Sequence, residues 1–170
     1  ACGMTDAKFP DFQAGAERAY TAVAAAMAGA NVVYESAGMY GSLMGACPES
    51  LLIDNDVLGA CMRMTKGIKV DEDSLSFDVI NEVCMGGKGH YLGSDQTLSV
   101  MQSEYIYPEL GDRTSPNVWA EQGKPVLLEK AIARKKELLA SYFPSHISDE
   151  ADLAIRAEFD IRLTREQIGR

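Results

Sequence analysis

Three tyrosines, two carboxylates and a histidine carry the chemistry this sequence offers most plainly. Tyr34 and Glu35 end a β-branched run, and Tyr105 and Tyr107 flank Ile106 farther along. Aromatic ring faces attract a cation through the ring quadrupole, and a neighbouring carboxylate balances its charge, so these residue types suit a cationic ligand. Tyr34, Tyr105 and Tyr107 are therefore the candidate binding residues, with Glu35, His90 and Asp6 as the candidate catalytic ones. His90, between Gly89 and Tyr91, could orient a ligand or relay a proton. Asp6 and Lys8, two positions apart, could act as a pair. Each residue also has a plainer use. The tyrosines serve equally as half-buried packing residues, His90 as a core histidine bonded to backbone, and Glu35 as the cap of a neighbouring helix. Asp6 and Lys8 would then be a solvated ion pair worth little.

Other clusters carry less. Asp54, Asn55 and Asp56 read as the first turn of a helix, where the dipole favours acidic side chains. The stretch from Asp71 to Glu82 spaces superficially like a calcium loop, but Leu75 and Ser76 stand where a ligand and the turn glycine belong. There is no phosphate loop and no nucleophile elbow. Cys2, Cys47, Cys61 and Cys84 include no Cys-x-x-Cys pair and suggest no metal site. Four reduced, mostly buried thiols and a cytoplasmic protein are the expectation.

The elements that must position these residues alternate between helix and a short strand. Alanine, glutamate and arginine dominate from Phe12 to Ala28, and Gly29 stands at a capping position, which predicts a helix. Asn31 to Ser36 then reads as one buried strand closed by Gly38, with the glycine- and methionine-rich stretch to Gly45 as a loop beyond it. Pro48 opens a helix running to Gly67, with Leu51, Leu58, Cys61, Met62 and Thr65 on one face. Asp71 with Ser74 opens another, stopped at Gly86 and Gly87, while Gly89 to Gly93 is a brief strand or a turn. Ser94, Ser115 and Ser148 are further helix starts, and a charged helix spans about Pro125 to Phe143. The face of the last helix is expected to carry Ile155, Phe159 and Leu163. Helix followed by strand is the repeating unit of an α/β fold. Composition shifts after Pro144, so residues 144–170 read as a helical appendage to a domain over residues 1–143.

Composition narrows the partners. A formal charge of -9 and a pI near 4.7 oppose binding to nucleic acid or to anionic membrane surfaces. The alanine-rich stretch from Ala19 to Gly29 falls far short of the roughly 20 apolar residues a membrane span needs. The first residues lack a signal-peptide pattern and an initiator methionine, and the expectation is a chain that begins inside a larger gene product.

Two stretches then resemble a known family. One runs from Thr5 to Glu17. The other comprises Gly89-His90-Tyr91-Leu92-Gly93, Gln96-Thr97-Leu98 and the run from Glu104 to Arg113. Between them, Gly29-Ala30-Asn31, Gly38-Met39 and the run from Ile53 to Gly59 keep the order and approximate spacing of the same family. Any one of these motifs is weak, whereas together they are specific. The chain resembles the trimethylamine methyltransferase family from about Thr5 to Leu139. The resemblance implies the C-terminal part of a (β/α)8 TIM barrel followed by extra C-terminal helices. It also implies an enzyme that moves a methyl group from a methylated amine to the Co(I) corrinoid (cobalamin) of a separate carrier protein, with no corrinoid or metal bound to this chain. Some members carry pyrrolysine in the barrel, and relatives without it act on quaternary amines such as betaines. All 170 residues here are standard, which favours a quaternary amine. A methylated ammonium without an N–H must be recognised by ring faces and carboxylates, which the candidate residues supply. A closed barrel takes about 250 residues or more, so the missing strands come from upstream, from another chain, or not at all. A homo-oligomer is expected, and a non-catalytic barrel module that only associates with other chains is the competing reading.

Overall fold

A computed structural model describes residues 1–169. The chain divides into two compact units, Ala1–Ala131 and one beginning at Ile132. Helices dominate the described residues, and the only strands among them are two short ones.

In the first unit α1 spans Phe12–Met27, started by Asp11, whose side chain accepts the Ala14 N–H at 2.9 Å. Ala14, Arg18 and Ala22 are its buried residues, four apart and therefore on one stripe. β1 (Met39–Tyr40) and β2 (Gly45–Ala46) form an antiparallel hairpin in which Met39 faces Ala46. α2 spans Pro48–Lys66, with proline in its first turn and Gly67 just past its end. The small residues of the α1 stripe let α1 and α2 approach, and two apolar clusters form around them. One gathers Cys2, Ala22 and Cys61 with Val57 and Leu58, and the other gathers Ala7, Ala14 and Tyr40. The N-terminal segment lies along α1. There the Gly3 N–H donates to the Thr21 hydroxyl at 3.0 Å, and the Ala7 carbonyl accepts from Gly41 N–H at 3.1 Å.

Short helices follow: α3 (Glu72–Leu75), α4 (Phe77–Cys84), α5 (Asp95–Glu104) and α6 (Pro116–Glu121). Asp71 and Ser74 form a reciprocal capping box, and Ser94 and Ser115 accept from the N–H three residues on. α7 covers Leu127–Ser141. In the second unit Ser148 caps α8 (Asp149–Glu158), and a 3-10 turn closes the described chain at Glu166–Ile168. Arg165 joins that turn to α8 through Asp149 at 2.6 Å and Asp152 at 3.6 Å. No helix of the described residues is long and apolar enough to cross a membrane.

Several expectations are corrected. Asn31 to Ser36 is not a strand: no described segment pairs with it, and Glu35 turns to a φ of 53°. A β-branched run becomes a strand only where a neighbour completes its hydrogen bonds. The hairpin lies instead in the glycine-rich stretch expected to be loop. The helix expected from Asp71 to the stop at Gly86 and Gly87 breaks at Ser76, whose φ of 57° ends α3 and begins α4. Leu163 lies beyond the end of α8. α2 turns Ser50, Asp54 and Cys61 inward, leaving Leu51 and Met62 exposed, because its partner face on α1 carries an arginine. All four cysteines are free, but only Cys2 and Cys61 are buried and Cys84 is exposed.

Candidate functional site

The densest polar arrangement centres on Arg18. Its guanidinium pairs with the Asp54 carboxylate, and the two side chains are only 3% and 5% exposed. Asp54 also accepts the Gly38 N–H at 2.7 Å, and Arg18 donates to the Met39 carbonyl. α1, α2 and the start of the hairpin are thereby tied at one point. The Arg18 guanidinium lies over the Tyr40 ring, 4.3 Å from its centroid, and the Tyr40 hydroxyl shares a hydrogen bond with Ser50 at 2.6 Å. Burial pushes the Tyr40 phenol up, against the opposing pull of the Ser50 hydrogen bond and the Arg18 charge. Arg18 Nε is buried without a partner. A mostly apolar cavity of about 220 Å³ adjoins this cluster, lined by Pro10, Ala14, Arg18, Tyr40, Ile53 and Leu127 among others. The ion pair is already neutralised and hydrogen-bonded, so its chemistry is that of a scaffold.

Asp6 borders a second, shallower hollow shared with Thr5, Glu17, Tyr20 and Ser42. The Asp6 carboxylate accepts from the Ser42 hydroxyl, while its N–H donates to Glu17 at 2.9 Å. Glu17 also accepts from the Thr5 hydroxyl at 2.6 Å and the Gln13 amide at 2.9 Å, and the Thr5 bond leads in holding its carboxyl below the ordinary range. Lys8 donates to the Asp6 carbonyl at 2.6 Å.

The other expected site residues lie apart from Asp6. Tyr34 and Glu35 are exposed on the irregular stretch before the hairpin, and His90 is exposed in the turn before α5. Tyr105 and Tyr107 follow α5, both exposed, and the Tyr107 hydroxyl donates to the Met101 carbonyl at 2.9 Å. No hydrogen bond, ion pair or ring contact joins any two of the six among the described residues. Nor is any group of three or more His, Cys, Asp or Glu placed there to hold a metal ion.

Sequence reasoning missed the residues that hold these segments. Asp54 sits in the second turn of α2, not the first, and its partner is a buried arginine rather than the helix dipole. Asp56 accepts three consecutive backbone N–H groups, from Glu109, Leu110 and Gly111, at 2.8, 2.9 and 3.0 Å. Arg63, two turns on, pairs with the Glu104 carboxylate and donates to its carbonyl at 3.2 Å. A signal for Arg18 was present. Its four-residue spacing from Ala14 and Ala22 puts a charge on the small-residue face of α1, which demands a buried carboxylate somewhere.

The family model described as trimethylamine methyltransferase (MTTB) matches residues 1–167. The chain belongs to this family. Among curated relatives, the glycine betaine methyltransferase of Desulfitobacterium hafniense (strain Y51) is 34% identical over 155 residues, covering 91% of this chain and 32% of that protein. The trimethylamine methyltransferase MttB of Methanosarcina thermophila is 37% identical over 132 residues, 78% of this chain and 26% of its own length. The MttB of Methanosarcina barkeri (strain Fusaro / DSM 804) is 34% identical over 138 residues, 81% and 27% respectively. The chain thus spans a third or less of the length of these relatives. The stretches that carry the resemblance to the trimethylamine methyltransferase family are also those bonded to each other. Thr5 and Asp6 meet Glu17, Gly38 meets Asp54, and Asp56 meets residues 109–111.

Proposed function

We propose that this chain is part of a methyltransferase that takes a methyl group from a methylated amine and passes it to the Co(I) corrinoid of a separate carrier protein. The favoured substrate is a quaternary amine such as a betaine, with trimethylamine second. The observation that carries this reading is the 34% identity, over 91% of the chain, to a protein named glycine betaine methyltransferase. In this reading the chain contributes the C-terminal part of a TIM barrel.

The corrinoid, held by the carrier, supplies the nucleophile. Tyr34, Tyr105 and Tyr107 bind the ammonium through their ring faces, Glu35 balances its charge, and His90 and Asp6 orient the substrate or relay a proton. Loss of a methyl from a quaternary ammonium leaves a neutral amine that needs no proton, so with such a substrate His90 and Asp6 act by orientation. The test is methyl transfer by the full-length protein containing this segment. Glycine betaine and trimethylamine are supplied in parallel with Co(I) corrinoid carrier protein, and methylcobalt formation is followed by absorbance. Faster transfer from glycine betaine is expected. Transfer from neither amine would remove the enzyme reading and leave the associating module.

A further inference from the structure

One helix grips both ends of the segment that carries two of the tyrosines. Asp56 and Arg63 stand seven residues apart on α2, two turns along the same face. Asp56 gathers the N–H groups of Glu109, Leu110 and Gly111, which can converge on one carboxylate only if the chain bends around it. Arg63 holds the other end through the carbonyl and carboxylate of Glu104. Between these anchors run Tyr105, Ile106 and Tyr107. Tyr105, with φ -92° and ψ 154°, takes the chain out of α5 in extended backbone. Tyr107 is further fixed by its hydroxyl on the Met101 carbonyl. Both rings stay open, 62% and 59% exposed. Two uncovered rings on one short strap held at both ends are pre-set for a cation, and pre-setting lowers the ordering cost of binding.

We propose that Asp56 and Arg63 are positioning residues for the methylated ammonium: they fix the strap of residues 104–111 so that Tyr105 and Tyr107 meet the ligand together. The proposal rests on the functional reading above and makes α2, which offers no ring of its own here, a determinant of substrate affinity.

The experiment uses the full-length enzyme, with wild-type turnover measured first. Wild-type inactivity toward every methylated amine overturns the functional reading, and this proposal with it. With an active wild type, Asp56→Ala is expected to raise KM for glycine betaine about tenfold, with kcat within about twofold. Binding of 3,3-dimethylbutanoate, its uncharged-head carbon analogue, should change much less. Asp56→Glu should recover part of the loss. In a Tyr105→Ala/Tyr107→Ala background, Asp56→Ala should add nothing further to KM, because the rings it positions are gone. Should Asp56→Ala fail to fold, Arg63→Gln applies the same test at the other anchor and leaves the triple N–H contact in place. Equal losses for both ligands, a fall in kcat at unchanged KM, or additivity with the tyrosine variants would overturn the proposal while the functional reading stands.

Discussion

Arg18 and Asp54 meet where solvent scarcely reaches, and three segments depend on their meeting. Transferring two charges from water is costly, and the added hydrogen bonds from Gly38 and to Met39 help the pair offset that cost, although Arg18 Nε stays without a partner. Asp54→Ala would leave a buried guanidinium without its counter-charge, so the expected loss is about 3–5 kcal/mol. Replacing both residues together, Arg18→Met with Asp54→Leu, should restore most of it, since a hydrophobic pair of similar volume needs no hydration to be replaced. Urea denaturation of the three variants distinguishes the cases; a double variant as unstable as the single one would show that shape, not charge, is decisive at this junction. The pair also marks where the sequence was hard to read at the candidate site. Asp54 and Asp56 are two residues apart, so a reading from local spacing gives both the same helix-dipole role. Their fates are decided by partners 36 and 53 to 55 residues away, which no local pattern contains.

Elements with local causes were legible, and those with distant causes were not. Ser94, Ser115 and Ser148 cap their helices through bonds spanning three residues, so α5, α6 and α8 start where the sequence places them. The stretch from Asn31 to Ser36 has strand composition but no described partner, and the break at Ser76 comes from a left-handed residue in an otherwise helical pattern. Gly3 lies against the end of this irregular stretch. Its φ is 72°, and a Cβ there would lie 2.2 Å from the Ser36 carbonyl oxygen. Gly3→Ala is therefore expected to cost about 2–4 kcal/mol, from left-handed strain plus a clash with backbone that cannot rotate away. Gly29, at the end of α1 where the Ala30 N–H donates to the Ala25 carbonyl, has a φ of 78° with open space around it, so Gly29→Ala should cost only about 1–2 kcal/mol. The difference isolates the contact between the N-terminal segment and Ser36. Thermal unfolding that ranks the two variants equally would mean the N-terminal segment does not hold this stretch.

At the scale of the molecule, the chain exposes 12520 Å² of surface, against about 8,200 Å² expected for a compact chain of 18.4 kDa. Large apolar side chains account for part of the excess: Phe12, Val32, Met44 and Ile68 are each more than four-fifths exposed. If only a quarter of that excess is apolar and becomes buried between chains, the gross gain is roughly 25 kcal/mol, above the roughly 4–15 kcal/mol that association costs. The 170-residue chain alone should therefore self-associate at micromolar concentration. Its charge of -9 opposes this, because like-charged chains repel. The two forces respond differently to salt. Screening weakens the repulsion and leaves apolar burial intact, so light scattering should report larger species at 0.5 M sodium chloride than at 0.05 M. Association that weakened with salt would indicate contacts between charged groups, and a monodisperse monomer at both salts would show that these exposed side chains do not drive contact between copies.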